Sequence, residues 1–94
     1  MVLHQIFASP FSSPAVSLCI EGLAADDAIL LLQEAVYALQ HPIMQQLQLL
    51  PQPVYILRAD ALARGLHSVS HDDLYISDAQ WLALTLTFEN IVSW

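Results

Sequence analysis

The chain has 94 residues, two arginines, no lysine and nine acids, for a formal net charge of −7. That balance excludes a nucleic-acid binder acting alone, because such proteins need clustered cations to displace counterions from phosphates. The longest strictly apolar run, Ala28 to Leu32, falls far short of the ~20 residues that span a bilayer, which excludes a transmembrane helix.

The length fits one domain, residues 1–94, with one modest core. Yet 56% of the residues are apolar and the mean hydropathy is +0.54. A small sphere cannot hide that much apolar surface, so either the strands are covered on both faces or part of the exterior is an interface. A basic partner would be drawn to the acidic surface. The N-terminus shows no basic segment followed by an apolar stretch, and a single cysteine allows no internal disulfide. Both features lead us to expect a cytoplasmic protein.

Four apolar runs, Val2–Phe7, Ala28–Leu32, Val54–Leu57 and Leu74–Ile76, read as strands. Stretches long enough for helices separate them, which predicts an α/β fold with a small, mainly parallel sheet of four to five strands and helices on both faces. The continuous run "AILLL" is what a strand buried on both sides requires. A first helix starts with Ser13 as N-cap and Pro14 at the first helical position. A second begins near Glu34, is interrupted at His41-Pro42, and continues as "IMQQLQLL". "ADALARG" reads as a short third helix with Gly65 past its end. Ser77 or Asp78 caps a last helix, "AQWLALTLTF", and "NIVSW" is a short strand or a tail.

In an open parallel sheet, ligands gather beyond the carboxyl ends of the strands, here Ser9-Pro10, Gln33-Glu34, Arg58-Asp60 and Ser77-Asp78. With only two glycines, neither a G-x-G-x-x-G fingerprint nor a Walker loop can form, and we expect no cofactor. His67 and His71 have metal-like H-x₃-H spacing beside Asp72 and Asp73, but they follow a helix-ending glycine and read as a polar loop, not a metal site. His4 reads as a hydrogen-bonded core histidine. Cys19 falls with Val16, Ile20 and Leu23 on one helical stripe, which favours a buried thiol. It lies beyond the first turn and beside Glu21, and neither circumstance activates a thiolate. Trp81 belongs with Leu84 and Thr85 in the core, whereas the terminal Trp94 packs on this chain or on a neighbour. The "AVYALQHPIM" segment offers Val36, Tyr37, Leu39, Ile43 and Met44, which divide between core and a partner interface.

Taken in order, "LHQIFASPF", "ILLLQEAVYA", "VYILRADALARGL", "ISDAQWLALT" and the terminal Trp94 resemble the TusB/DsrH family over nearly the whole chain. The most specific pieces are the leucine-rich strand running into Gln33-Glu34 and the stretch from Asp60 to Leu66. The chain departs from the family pattern at Ala35, where glycine is expected. The resemblance implies a DsrE-like fold, akin to Rossmann and flavodoxin-like sheets, and a place in a cytoplasmic persulfide relay. It implies a heterohexamer with TusC- and TusD-like subunits, or with the equivalent DsrF and DsrE, that takes sulfur from a TusA-like donor towards 2-thiolation of the tRNA wobble uridine. In that family the main sulfur-carrying cysteine lies on the TusD or DsrE partner. DsrH-like members also carry a cysteine near position 19. Three readings follow: a partner-binding subunit, a sulfurtransferase with Cys19 as persulfide carrier in sulfur oxidation, or a self-associating regulatory module.

Overall fold

A computed structural model describes residues 1–66 and 69–94. Five strands form one parallel sheet: β1 (Val2–Ile6), β2 (Ala28–Leu31), β3 (Val54–Leu57), β4 (Tyr75–Ile76) and β5 (Asn90–Ser93). Their spatial order is β4-β3-β2-β1-β5. The chain therefore steps from β1 to β4 in one direction and then returns past the whole sheet to place β5 beside β1. Because β-α-β crossovers are right-handed, that reversal puts the last helix on the face opposite the others.

One face is covered by α1 (Ala15–Glu21), a 3₁₀ segment (Gln33–Gln40), α2 (Ile43–Leu49) and α3 (Arg58–Ala63). Ile6, Ile29, Leu31, Val54 and Ile56 point to this side and meet Val16, Cys19, Val36, Met44, Leu47 and Ala61. The other face holds Leu3, Ala28, Leu30, Leu32, Leu57 and Ile76, under Trp81, Leu84 and Phe88 of and beside α4 (Asp78–Thr87). The alternation along each strand follows from the two-residue period of side chains in a pleated sheet. β2 sits in the centre with all four residues buried, which explains why its sequence is continuously apolar.

Local chemistry sets the element ends. α1 begins one residue later than its sequence signals suggest: Pro14, at φ −80° and ψ 7°, is the N-cap in place of Ser13, whose Oγ accepts the Ala15 N–H at 3.2 Å from just ahead of the helix. His41, before Pro42, is extended at φ −113°, ψ 146°, which ends the 3₁₀ segment. Its Nδ1 then accepts the Ile43 N–H at 3.0 Å and opens α2. At the end of α3, Gly65 takes φ +66°, its N–H donates to Leu62 O, and the Leu66 N–H donates to Ala61 O. That 5→2 and 6→1 pair is the Schellman arrangement, and Leu66 folds into the core behind it. Ser77 and Gln80 cap α4 reciprocally, with the Gln80 N–H on Ser77 Oγ at 3.1 Å and the Ser77 N–H on Gln80 Oε1 at 2.8 Å. "NIVSW" is a strand with a one-residue tail, paired parallel to β1 from Val2↔Asn90 to Gln5↔Ser93.

Candidate functional site

Cys19 stands on the inner side of α1, fully enclosed by the core. Burial is the main force on its thiol, with the nearby Asp27 carboxylate adding to it, and together they push the pKa up to about 11. At pH 7 the thiolate is then a fraction on the order of 10⁻⁴. Sulfur chemistry runs through the thiolate, so the thiol is chemically quiet in this conformation. The helical stripe correctly placed Cys19 inward, but Asp27 as its charged neighbour comes from β2 packing and has no local signature.

The carboxyl ends of β2 and β3 bring together part of the polar set expected there. Gln33 leaves β2 with φ +50°, a left-handed conformation unusual for a side chain with a Cβ. Its N–H donates to Asp60 Oδ2 at 2.6 Å. Arg64, the next turn of α3, donates from Nε and Nη2 to Glu34 Oε1 at 3.2 and 2.8 Å, and from Nη1 to the Asp60 carbonyl at 3.1 Å. The guanidinium is thus spent on holding α3 against the 3₁₀ segment. Ser9 and Ser77 take no part: Ser9 closes a turn onto Phe11 and Ser12, and Ser77 caps α4. The strand ends form a clamp, not an open ligand cradle.

At the opposite end of β1 and β2 lies a polar network that no local pattern announces. His4 Nε2 is 3.0 Å from Asp27 Oδ2, and both side chains are buried. The Trp94 indole N–H approaches His4 Nδ1 at 3.2 Å. An indole only donates, so Nδ1 accepts and the imidazole proton sits on Nε2, donating to Asp27. Asp27 also accepts the Val2 N–H and the Ala24 N–H, each at 3.0 Å. Burial alone would raise its pKa, but the bonds from His4, Ala24 and Val2 outweigh it and hold the pKa below the ordinary aspartate value. His4 is the hydrogen-bonded histidine that its strand position suggested, and Trp94 packs on this chain.

His67 of the H-x₃-H pair lies outside the described residues. Among the described residues no three His, Cys, Asp or Glu side chains converge on a common point. His71 stands with Nδ1 3.3 Å from Ser70 Oγ.

The proposed interface segment divides unevenly. Val36, Ile43 and Met44 are buried against this chain's own sheet. Tyr37 and Leu39 are half-buried at the edge of that core and keep some outward area. The large exposed apolar side chains lie elsewhere: among the described residues they include Phe11, Leu18, Leu49, Leu62, Leu82, Leu86, Ile91, Val92 and Trp94. Sequence periodicity missed this set because α4 is apolar nearly all round and gives no stripe to orient. No helix among the described residues is long and apolar enough to cross a membrane.

Comparison with curated proteins finds no match. Comparison with family models finds one, described as DsrH like protein, over residues 8–91. That span takes in the buried thiol, the strand-end clamp, α4 and the start of β5, and with the five-stranded parallel sheet it settles the ancestry: the chain belongs to the DsrH-like family.

Proposed function

We propose that the chain is a TusB-like subunit of a cytoplasmic persulfide relay that feeds 2-thiolation of the tRNA wobble uridine. It holds TusC- and TusD-like subunits in a heterohexamer, and sulfur passes from a TusA-like donor through a partner's cysteine. The observation that carries this reading is the contrast between thiol and exterior. The only sulfhydryl is sealed in the core, while large apolar side chains stand in water on α4 and β5. A molecule built to carry sulfur exposes its thiolate, and one built to be held by neighbours exposes apolar surface. Family membership supplies the relay context. The charge of −7, with both arginines in ion pairs, supports leaving the RNA to another component.

Co-expression with TusC- and TusD-like chains tests the assembly. Co-elution in one complex is expected, and a dispersed monomer that ignores both partners would overturn the reading. Mass spectrometry after incubation with a persulfide-loaded TusA-like donor tests the chemistry. The added sulfur is expected on a partner, and a persulfide on Cys19 would make this chain a carrier instead. Loss of 2-thiouridine from the tRNA of cells lacking the chain separates the tRNA route from sulfur oxidation.

A further inference from the structure

Among the described residues, five of the ten large exposed apolar side chains fall within the last thirteen positions: Leu82, Leu86, Ile91, Val92 and Trp94. Leu82 and Leu86 stand on α4, and Ile91, Val92 and Trp94 stand on or just after β5 at the edge of the sheet. β5 is an outer strand, paired on one side only. The Trp94 N–H donates to Gln5 O at 2.8 Å and its carbonyl accepts the Phe7 N–H at 3.1 Å, so the Trp94 backbone faces β1. Alternation turns the Val92 backbone the same way and directs the N–H and C=O of Ile91 and Ser93 away from the sheet. Natural edges are guarded by lysine, proline or inward charges. Residues 90–94 carry none of these. Beside this edge, Asp78, Trp81, Leu82 and Thr85 on one flank of α4 border an open notch of about 240 Å³. The Trp81 indole donates to Gln5 Oε1 at 2.9 Å and so anchors that flank over β1, the strand that β5 pairs with.

Charge selects the occupant. Exposed Asp78 and Glu89 stand at the two ends of α4, and no lysine or arginine follows Arg64. The chain's two guanidinium groups are committed to Asp72 and Glu34. A second copy would bring acids against acids with no free cation to offer. We propose that the free edge of β5, together with the adjoining flank of α4, receives an extended segment of a partner subunit that has alternating apolar side chains and lysine or arginine at its ends. Backbone groups of Ile91 and Ser93 pair with the incoming strand, the notch takes an apolar side chain, and Asp78 and Glu89 meet the cations. This identifies a surface for the complex put forward above and rests on that reading.

The test uses the full chain with its TusC- and TusD-like partners. Ser93→Pro removes an outward N–H and leaves the bonds to β1 in place, and a circular dichroism spectrum of the free variant checks that it folds. Its affinity for the partners should fall at least about tenfold. Leu86→Lys should weaken assembly more than Leu86→Glu, because the partner is basic, while Leu49→Lys, away from the edge, should leave it unchanged. Amide exchange at Ile91 and Ser93 should slow at least about tenfold in the complex. Undiminished assembly of folded Ser93→Pro, equal weakening by Lys and Glu at position 86, unchanged exchange at Ile91 and Ser93, or a homodimer sealed through β5 overturns the proposal. If the wild-type chain assembles and the edge variants do too, only this surface is wrong. If the wild-type chain does not assemble at all, the subunit reading falls with it.

Discussion

Asp27 gathers three donors on two oxygens while nearly closed off from water, taking the Val2 and Ala24 N–H groups and His4 Nε2. Asp27→Ala leaves all three without partners and should cost about 2–4 kcal/mol, read as a lower urea midpoint at unchanged slope. Because the pKa of Asp27 is depressed in the folded state, its stabilisation is complete above the ordinary aspartate value of about 3.9 and is lost as pH falls through the lower folded value. Cys19 gives the opposite dependence. Its raised pKa means the folded state keeps the proton longer, so stability is complete below pH ~9 and declines as pH rises towards about 11. Cys19→Val should abolish that alkaline decline, on the order of 2–3 kcal/mol, and native Cys19 should react with a thiol reagent only as the chain unfolds. Sequence showed Cys19 on an apolar stripe and His4 within a strand. It could not show that His4 is joined to Asp27 and Trp94, because those partners lie 23 and 90 residues away and meet only through strand pairing.

Helix ends are written in adjacent residues, and so they were the most legible part of the chain. Ser77 is the plainest case: Ser77→Ala breaks one arm of the reciprocal cap and should lower stability by about 1 kcal/mol. Gly65 is as local, since φ +66° suits a residue without a Cβ, and nothing crowds the space where one would be. Gly65→Ala should therefore cost about 1 kcal/mol through backbone strain alone, measured by thermal unfolding. Gln33→Gly at φ +50° should be neutral or stabilising by up to about 1 kcal/mol, the reverse sign at a similar dihedral. The geometry between Gln33 and Gln40 was less legible. A helix near Glu34 was expected, but the segment winds as 3₁₀, whose three-residue repeat places Ala35 and Ala38 on one buried side. Nothing in "QEAVYALQ" distinguishes that from a short α-helix. The choice is made by the left-handed entry at Gln33 and the extended His41 before Pro42.

At the scale of the molecule, composition gave an apolar excess without an address. Val36, Ile43 and Met44 were absorbed by the sheet, whereas Leu82 and Leu86 stayed outside, because a lone helix on one face of five strands shows its far side to water. What keeps such an exterior dispersed is charge: at pH 7 the chain carries −7, and at its isoelectric point near pH 4.5 that repulsion vanishes. The fold should outlast the charge, since Asp27, with its lowered pKa, remains ionised and bonded at pH 4.5. The free chain should then associate in its native form as pH drops from 7 to 4.5, with apparent mass rising in light scattering while the far-UV circular dichroism stays constant. Leu82→Glu with Leu86→Glu should suppress that rise, because it removes the two apolar groups on α4 that stand farthest into water. Loss of the dichroism signal before the mass increases would mean that unfolding exposes the sticky surface. A chain that stays monomeric at pH 4.5 would mean that its exterior holds no attraction for charge to mask.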